Sequence, residues 1–244
     1  MRRMRRIWWG PTVALLALAG TAGPAAAQVM DQARYLFLYA DRFEQAPGYS
    51  GQPMRLGAIG WYGADYNRLW LKVDGTADTR GGQGEGEVQA LLSRIVAPYW
   101  DAQVGVRLDG MWGGENRVRP QLALGLQGLA PYWFDVETAL FVSPAGDVSA
   151  RVQASYELLF TQRLMLEPDF ELNAALQDQP DWGVGAGLSN AELGLRVLYE
   201  IRREFAPYAG FVWQWSVGRT ADFARTAGAP LRQSSLVIGV RTWY

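Results

Sequence analysis

The stretch Tyr99-Trp100-Asp101-Ala102-Gln103-Val104-Gly105-Val106-Arg107-Leu108-Asp109 alternates without a fault. One face carries Tyr99, Asp101, Gln103, Gly105, Arg107 and Asp109. The other carries Trp100, Ala102, Val104, Val106 and Leu108. Strict period two over eleven residues predicts a β-strand long enough to cross a bilayer at a tilt. The same pattern returns at Val148–Leu158, where Ser149, Arg151, Gln153, Ser155 and Glu157 share the polar face. From Leu164, Met165, Glu167, Asp169, Glu171 and Asn173 oppose Leu164, Leu166, Pro168, Phe170 and Leu172. Near Ala191, Glu192 and Arg196 oppose Leu193, Leu195 and Val197.

Extended along the chain, this reading gives about twelve strands, near residues 34–43, 54–63, 67–78, 86–96, 99–109, 117–128, 132–142, 147–159, 163–176, 188–201, 204–217 and 233–244. The connections alternate in kind. Those at 64–66, 97–98, 129–131, 160–162 and 202–203 are short. Those at 44–53, 79–85, 110–116, 177–187 and 218–232 are long and Gly-rich. Short turns on one rim and long loops on the other predict an all-β, antiparallel up-and-down transmembrane β-barrel of about 12 strands, with the short turns periplasmic. The tripeptide Ala-Pro-Tyr, at Ala97–Tyr99, Ala130–Tyr132 and Ala206–Tyr208, reads as a turn on the short-turn rim. Asp222, in the loop 218–232, reads as a turn residue.

A soluble sandwich or lipocalin-like barrel would alternate too. Aromatics at the strand ends favour the membrane, because Trp and Tyr have an apolar body and a polar tip. They are Tyr99, Trp100, Tyr132, Trp133, Phe134, Tyr199, Phe205, Tyr208, Trp243 and Tyr244. The chain's last strand also stops on an aromatic, as outer-membrane barrels commonly do.

Residues 1–27 read as a signal peptide: a basic start at Arg2, Arg3, Arg5 and Arg6, an apolar run from Trp8 to Leu18, and small residues at Ala25-Ala26-Ala27. Residues 28–33 form a short N-terminal segment and 34–244 the barrel. Without the four leader arginines, the 23 basic residues of the chain fall to 19 against 24 acidic, a net charge of −5. That balance disfavours nucleic acid as a partner. The partner it implies is the outer-membrane lipid bilayer. The chain has no Cys and no His. A Ser–His hydrolase mechanism, the usual chemistry of enzymatic barrels, therefore has no general base, and no catalytic constellation is present.

Several ordered motifs now stand out: Asp65-Tyr66-Asn67-Arg68-Leu69-Trp70-Leu71-Lys72, Leu129-Ala130-Pro131-Tyr132-Trp133, and Leu159-Phe160-Thr161-Gln162-Arg163-Leu164. Further on come Gly187-Leu188-Ser189, Glu192-Leu193-Gly194-Leu195-Arg196, the run Tyr199–Tyr208, and Thr220-Ala221-Asp222-Phe223-Ala224. In order and spacing they resemble the copper-resistance protein B family over nearly all of the mature chain. The resemblance implies an outer-membrane protein of a copper-resistance system that binds or moves copper ions, with a periplasmic copper-binding or multicopper-oxidase partner. It also implies a Met- and His-rich segment ahead of the barrel. Here residues 28–33 offer only Met30.

Copper selectivity rests on thioether, thiolate and imidazole ligands. The metal candidates that remain are Met165, Glu167, Asp169 and Glu171, on one inward face of one strand. For the three carboxylates, pairing with arginines of other strands, such as Arg151 and Arg196, is the better reading, and Met165 reads as packing. The rest of the inward charge is Arg107, Asp135, Glu137, Arg151, Glu157, Glu192 and Arg196. The alternative function is a small general porin or structural barrel without copper specificity.

Overall fold

In the computed structural model the described residues are 34–47, 52–114 and 116–244. The signal-peptide and short-segment readings, residues 1–27 and 28–33, lie outside them. The strands are β1 (Tyr35–Gln45), β2 (Pro53–Gly63), β3 (Asn67–Asp78), β4 (Gly84–Ala97), β5 (Trp100–Trp112), β6 (Arg117–Ala130), β7 (Phe134–Val142), β8 (Val148–Ser155), β9 (Leu158–Leu159), β10 (Leu164–Ala175), β11 (Gly187–Tyr199), β12 (Phe205–Ser216) and β13 (Arg232–Trp243). Every pairing between named strands is antiparallel, and β1 pairs with β13, so the sheet closes on itself. Because β8 and β9 both pair with β10, the thirteen strands make twelve staves. The alternation described above thus becomes a twelve-stranded up-and-down barrel.

The break between β8 and β9 has a local cause. Ser155 opposes Asp169 and Leu158 opposes Leu166 in one unbroken register. Between them Tyr156 donates its N–H to the Pro168 carbonyl at 3.1 Å. Pro168 has no N–H to return, so the ladder lapses there.

Alternation sorts the side chains as a membrane requires. Leu122, Leu124 and Leu126 of β6 point outward and are exposed, while Gln121 and Ala123 between them are buried inside. The short-turn rim carries a girdle of exposed aromatics, among them Tyr62, Tyr66, Tyr99, Tyr132, Trp133, Phe160 and Tyr199. Two of the three Ala-Pro-Tyr copies make turns on this rim. Tyr99 and Tyr132 take left-handed backbone angles, φ 66° and 68°, directly after the proline. The third copy corrects the sequence reading. Pro207 pairs with Val240 within β12, and Tyr208 turns into the lumen.

The long loops carry structure that alternation does not announce. Residues 180–182 form a 3-10 turn, and a helix, α1 (Gly218–Thr226), occupies the last loop. Asp222 is therefore a helical residue, paired with Arg225 one turn on. The amide of Gly185 donates to the Thr220 hydroxyl at 2.9 Å, which ties the β10–β11 loop to α1. Asp178 and Arg219 add an ion pair at 2.5 Å. The same loop reaches over β7 and β8 to β6, where the Arg119 guanidinium lies 4.3 Å from the Trp182 ring. The two loops together cover part of the long-loop mouth.

Candidate functional site

The lumen is filled by long side chains that span it as chords. Lys72 of β3 donates to Glu137 of β7 at 2.6 Å, and to Gln103 and Gln127 on the way. Arg151 of β8 grips Glu87 of β4 with two hydrogen bonds of 2.7 Å. Arg55 of β2 reaches Glu192 of β11 at 2.7 Å. Arg241 of β13 pairs with Glu167 of β10 and, at 3.2 Å, with Glu157. Each joins staves that are not neighbours in the sheet. A barrel of this size is narrow enough for arginine and glutamate to meet across it.

The most buried network lies on a floor of glycines. Arg196 is 2% exposed, and its guanidinium holds Glu44 with two bonds of 3.0 Å and Asp169 with a third. Arg42 reaches Asp169 at 3.2 Å, and the Tyr208 hydroxyl donates to Glu44 at 3.1 Å. In the sheet register Asp169 opposes Gly194, Arg196 opposes Gly210, and Tyr208 opposes Gly239. A Cβ on Gly194 would stand 1.9 Å from the Asp169 carboxylate, and one on Gly239 would stand 2.5 Å from the Tyr208 ring. Each large polar side chain lies flat over the glycine of the next strand, so these three positions leave no room for a side chain. Such a buried array is stable only because each charge is paired and hydrogen-bonded.

The four metal candidates share one strand face, as the alternation predicts, but each turns to a different partner. Glu167 meets Arg241. Asp169 meets Arg196 and Arg42. Glu171 lies 3.6 Å from Arg151 and accepts hydrogen bonds from Gln153 and Asn173, both at 2.6 Å. Met165 is buried with Leu198 and Tyr208 in an apolar cluster. Among the described residues, no group of three or more His, Cys, Asp or Glu side chains is placed to hold a metal ion. Of the other lumen charges, Arg107 joins Glu87 at 2.7 Å and Asp109 at 2.5 Å. Asp135 stands beside Glu137 and Glu157 in the wall of the short-turn cavity.

Alternation alone did not single out Arg42, Glu44, Arg55, Lys72, Glu87, Tyr208 or Arg241. The sequence reading ends the first strand at residue 43 and puts Glu44 in the loop 44–53, whereas β1 runs on to Gln45 past a bulge, where the register shifts between Tyr39 and Arg42. The bulge reverses which parity faces inward, so that Glu44 is buried and Phe43 exposed. The lumen is also less uniformly polar than the sequence suggests. Trp70, Leu91, Ala123, Ala139 and Phe141 form an apolar cluster in its wall.

Cavities at three places in the interior are lined by the described residues. One of about 830 Å³ opens toward the short turns and is lined by Tyr39, Asp41, Trp70, Asp135 and Glu157. One of about 750 Å³ opens toward the long loops, between Glu44, Glu85, Met111, Val212 and Val237. A smaller one of about 410 Å³ lies beneath the β10–β11 loop, with Arg119, Gln179 and Trp182 in its wall.

A closed antiparallel barrel with a lipid-facing apolar band, an ionised lumen and one aromatic rim defines the outer-membrane β-barrel class. A solved NanC porin has the same kind of fold, with a TM-score of 0.51 at 11% identity over 85% of this chain and 99% of that one. The family model described as "Copper resistance protein B precursor (CopB)" matches residues 34–244, and the chain belongs to that family. The copper resistance protein B homolog of Pseudomonas syringae pv. tomato is 41% identical over 89% of this chain and 72% of its own length. The copper resistance protein B of Escherichia coli is 41% identical over 75% of this chain and 61% of its own length. The chain thus spans less than two thirds of the second relative.

Proposed function

We propose that this protein acts in copper resistance at the outer membrane, where it binds copper ions or moves them through its lumen. Membership of the copper resistance protein B family is the observation that carries the reading. The lumen supports it. Carboxylates outnumber the basic groups around the short-turn cavity, where Asp41, Asp74, Asp135, Glu137 and Glu157 all contribute. Such a wall concentrates cations from the periplasmic side. Copper is the cargo here, and a periplasmic copper-binding or multicopper-oxidase partner supplies the thiolate and imidazole ligands absent from this sequence. The leader-like residues 1–27 support export. The names of the family and of its relatives describe resistance rather than an enzyme.

The test is deletion of the gene, with and without complementation. Loss of copper tolerance and a changed cell copper content are expected. Unchanged tolerance and content would remove the reading. The second reading, a small porin or structural barrel without copper specificity, is favoured by one observation. Glu167, Asp169 and Glu171 are all engaged by arginines. Reconstituted protein that treats copper and other divalent cations alike would support it.

A further inference from the structure

We propose that Arg55 is a movable gate, one that separates the long-loop cavities from the short-turn cavity and opens a passage when it lets go of Glu192. This rests on the lumen being the route used in the proposed function. Arg55 lines all three cavities. Asp74, Glu87, Arg151 and Glu171 join it in lining both the smaller cavity and the short-turn cavity. These five residues form the belt between the two halves of the interior.

The two arginines of the belt are held very differently. Arg151 is fixed. It makes two hydrogen bonds of 2.7 Å to Glu87, a third of 3.1 Å to Asn173, and lies 5.6 Å above the buried Phe141 ring. A bidentate guanidinium–carboxylate pair is among the strongest and most directional polar contacts. Arg55 has one hydrogen bond, from its tip to Glu192, and a looser ion pair with Asp74. Its Nε is buried without a hydrogen-bond partner and stops 3.5 Å from Asp74. A buried donor left unsatisfied is costly.

A second arrangement is therefore available. Turning back along its own wall, Arg55 can give Nε and the guanidinium tip to Asp74 on the adjacent β3. Glu192 is left with Gln214, which already donates to it at 2.8 Å. The chord across the lumen is then gone, and Glu192 exchanges its cation for the amide of Gln214 alone. Arg151 and Glu87 narrow the passage in both arrangements, so the open pathway runs on the Arg55 side.

Purified full-length protein in planar lipid bilayers tests this. Wild-type protein is expected to show low conductance with brief openings. R55A and E192Q are each expected to raise the conductance or the open fraction. The charge swap R55E/E192R, which rebuilds the chord in reverse, is expected to return it to the wild-type level. Heat-modifiable electrophoretic mobility identifies folded barrel, and E192Q preserves the test if R55A does not fold. Equal conductance in wild type, R55A and E192Q would overturn the gate, as would a charge swap that stays open. A failure of the copper reading shows up separately, as unaltered copper tolerance on deletion, with the conductance pattern intact.

Discussion

Arg196 shows how much of this molecule rests on single side chains. It sits on Gly210, binds Glu44 and Asp169, and is almost wholly buried. Arg196→Ala would leave Glu44 without its cation and Asp169 with Arg42 alone. Losing one partner of a buried ion pair costs about 3–5 kcal/mol. The expected outcome is a loss of that order in urea unfolding from lipid vesicles, with R196K recovering only part because an ammonium cannot make the bidentate bond. The alternation in sequence placed Arg196 and Asp169 on the inward face correctly. It could not pair Arg196 with Glu44, which lies 152 residues away, across a bulge. Chords of this kind depend on strand tilt and stagger, quantities that no local pattern encodes.

At the scale of elements, the strands were legible and the loops were not. Strand periodicity survives because one face meets lipid and the other meets the lumen, so each residue declares its side. The β8–β9 interruption followed from one proline on the opposite strand, which a strand-by-strand reading cannot anticipate. Helix α1 has only nine residues, of which Thr220 and Ala221 are buried. What holds this loop assembly down on β6 is a small number of contacts, Trp182 on Arg119 among them. An exposed cation–π contact contributes about 0.5–1 kcal/mol. Trp182→Ala should therefore raise cleavage of the long loops by added trypsin several-fold in intact cells, while the barrel still resists.

Across the whole molecule, two solvents meet a wall one residue thick. Leu124, halfway along β6, is exposed on the outer face, and its neighbour Ala123 is 2% exposed on the inner one. Leu124→Arg should cost about 2–4 kcal/mol in urea unfolding from vesicles, the usual penalty for arginine on the lipid face at the midplane. Ser235→Arg, in the roomy long-loop cavity, should cost far less in the same measurement. The ring itself is shut by β1 and β13, whose register holds five paired positions, from Tyr39 with Trp243 to Gln45 with Ile238. Tyr244 adds a reciprocal pair of backbone bonds to Leu38, at 2.8 and 3.0 Å. By contrast β12 and β13 share eleven. With β8 and β9 taken as one stave, the joint between the two ends of the sheet is thus also the shortest ladder between staves, and it is the most remote contact along the chain. Such a joint has the largest loop to close and the fewest bonds to reward closure. A cylinder shut this way is expected to part first along that line when it is strained.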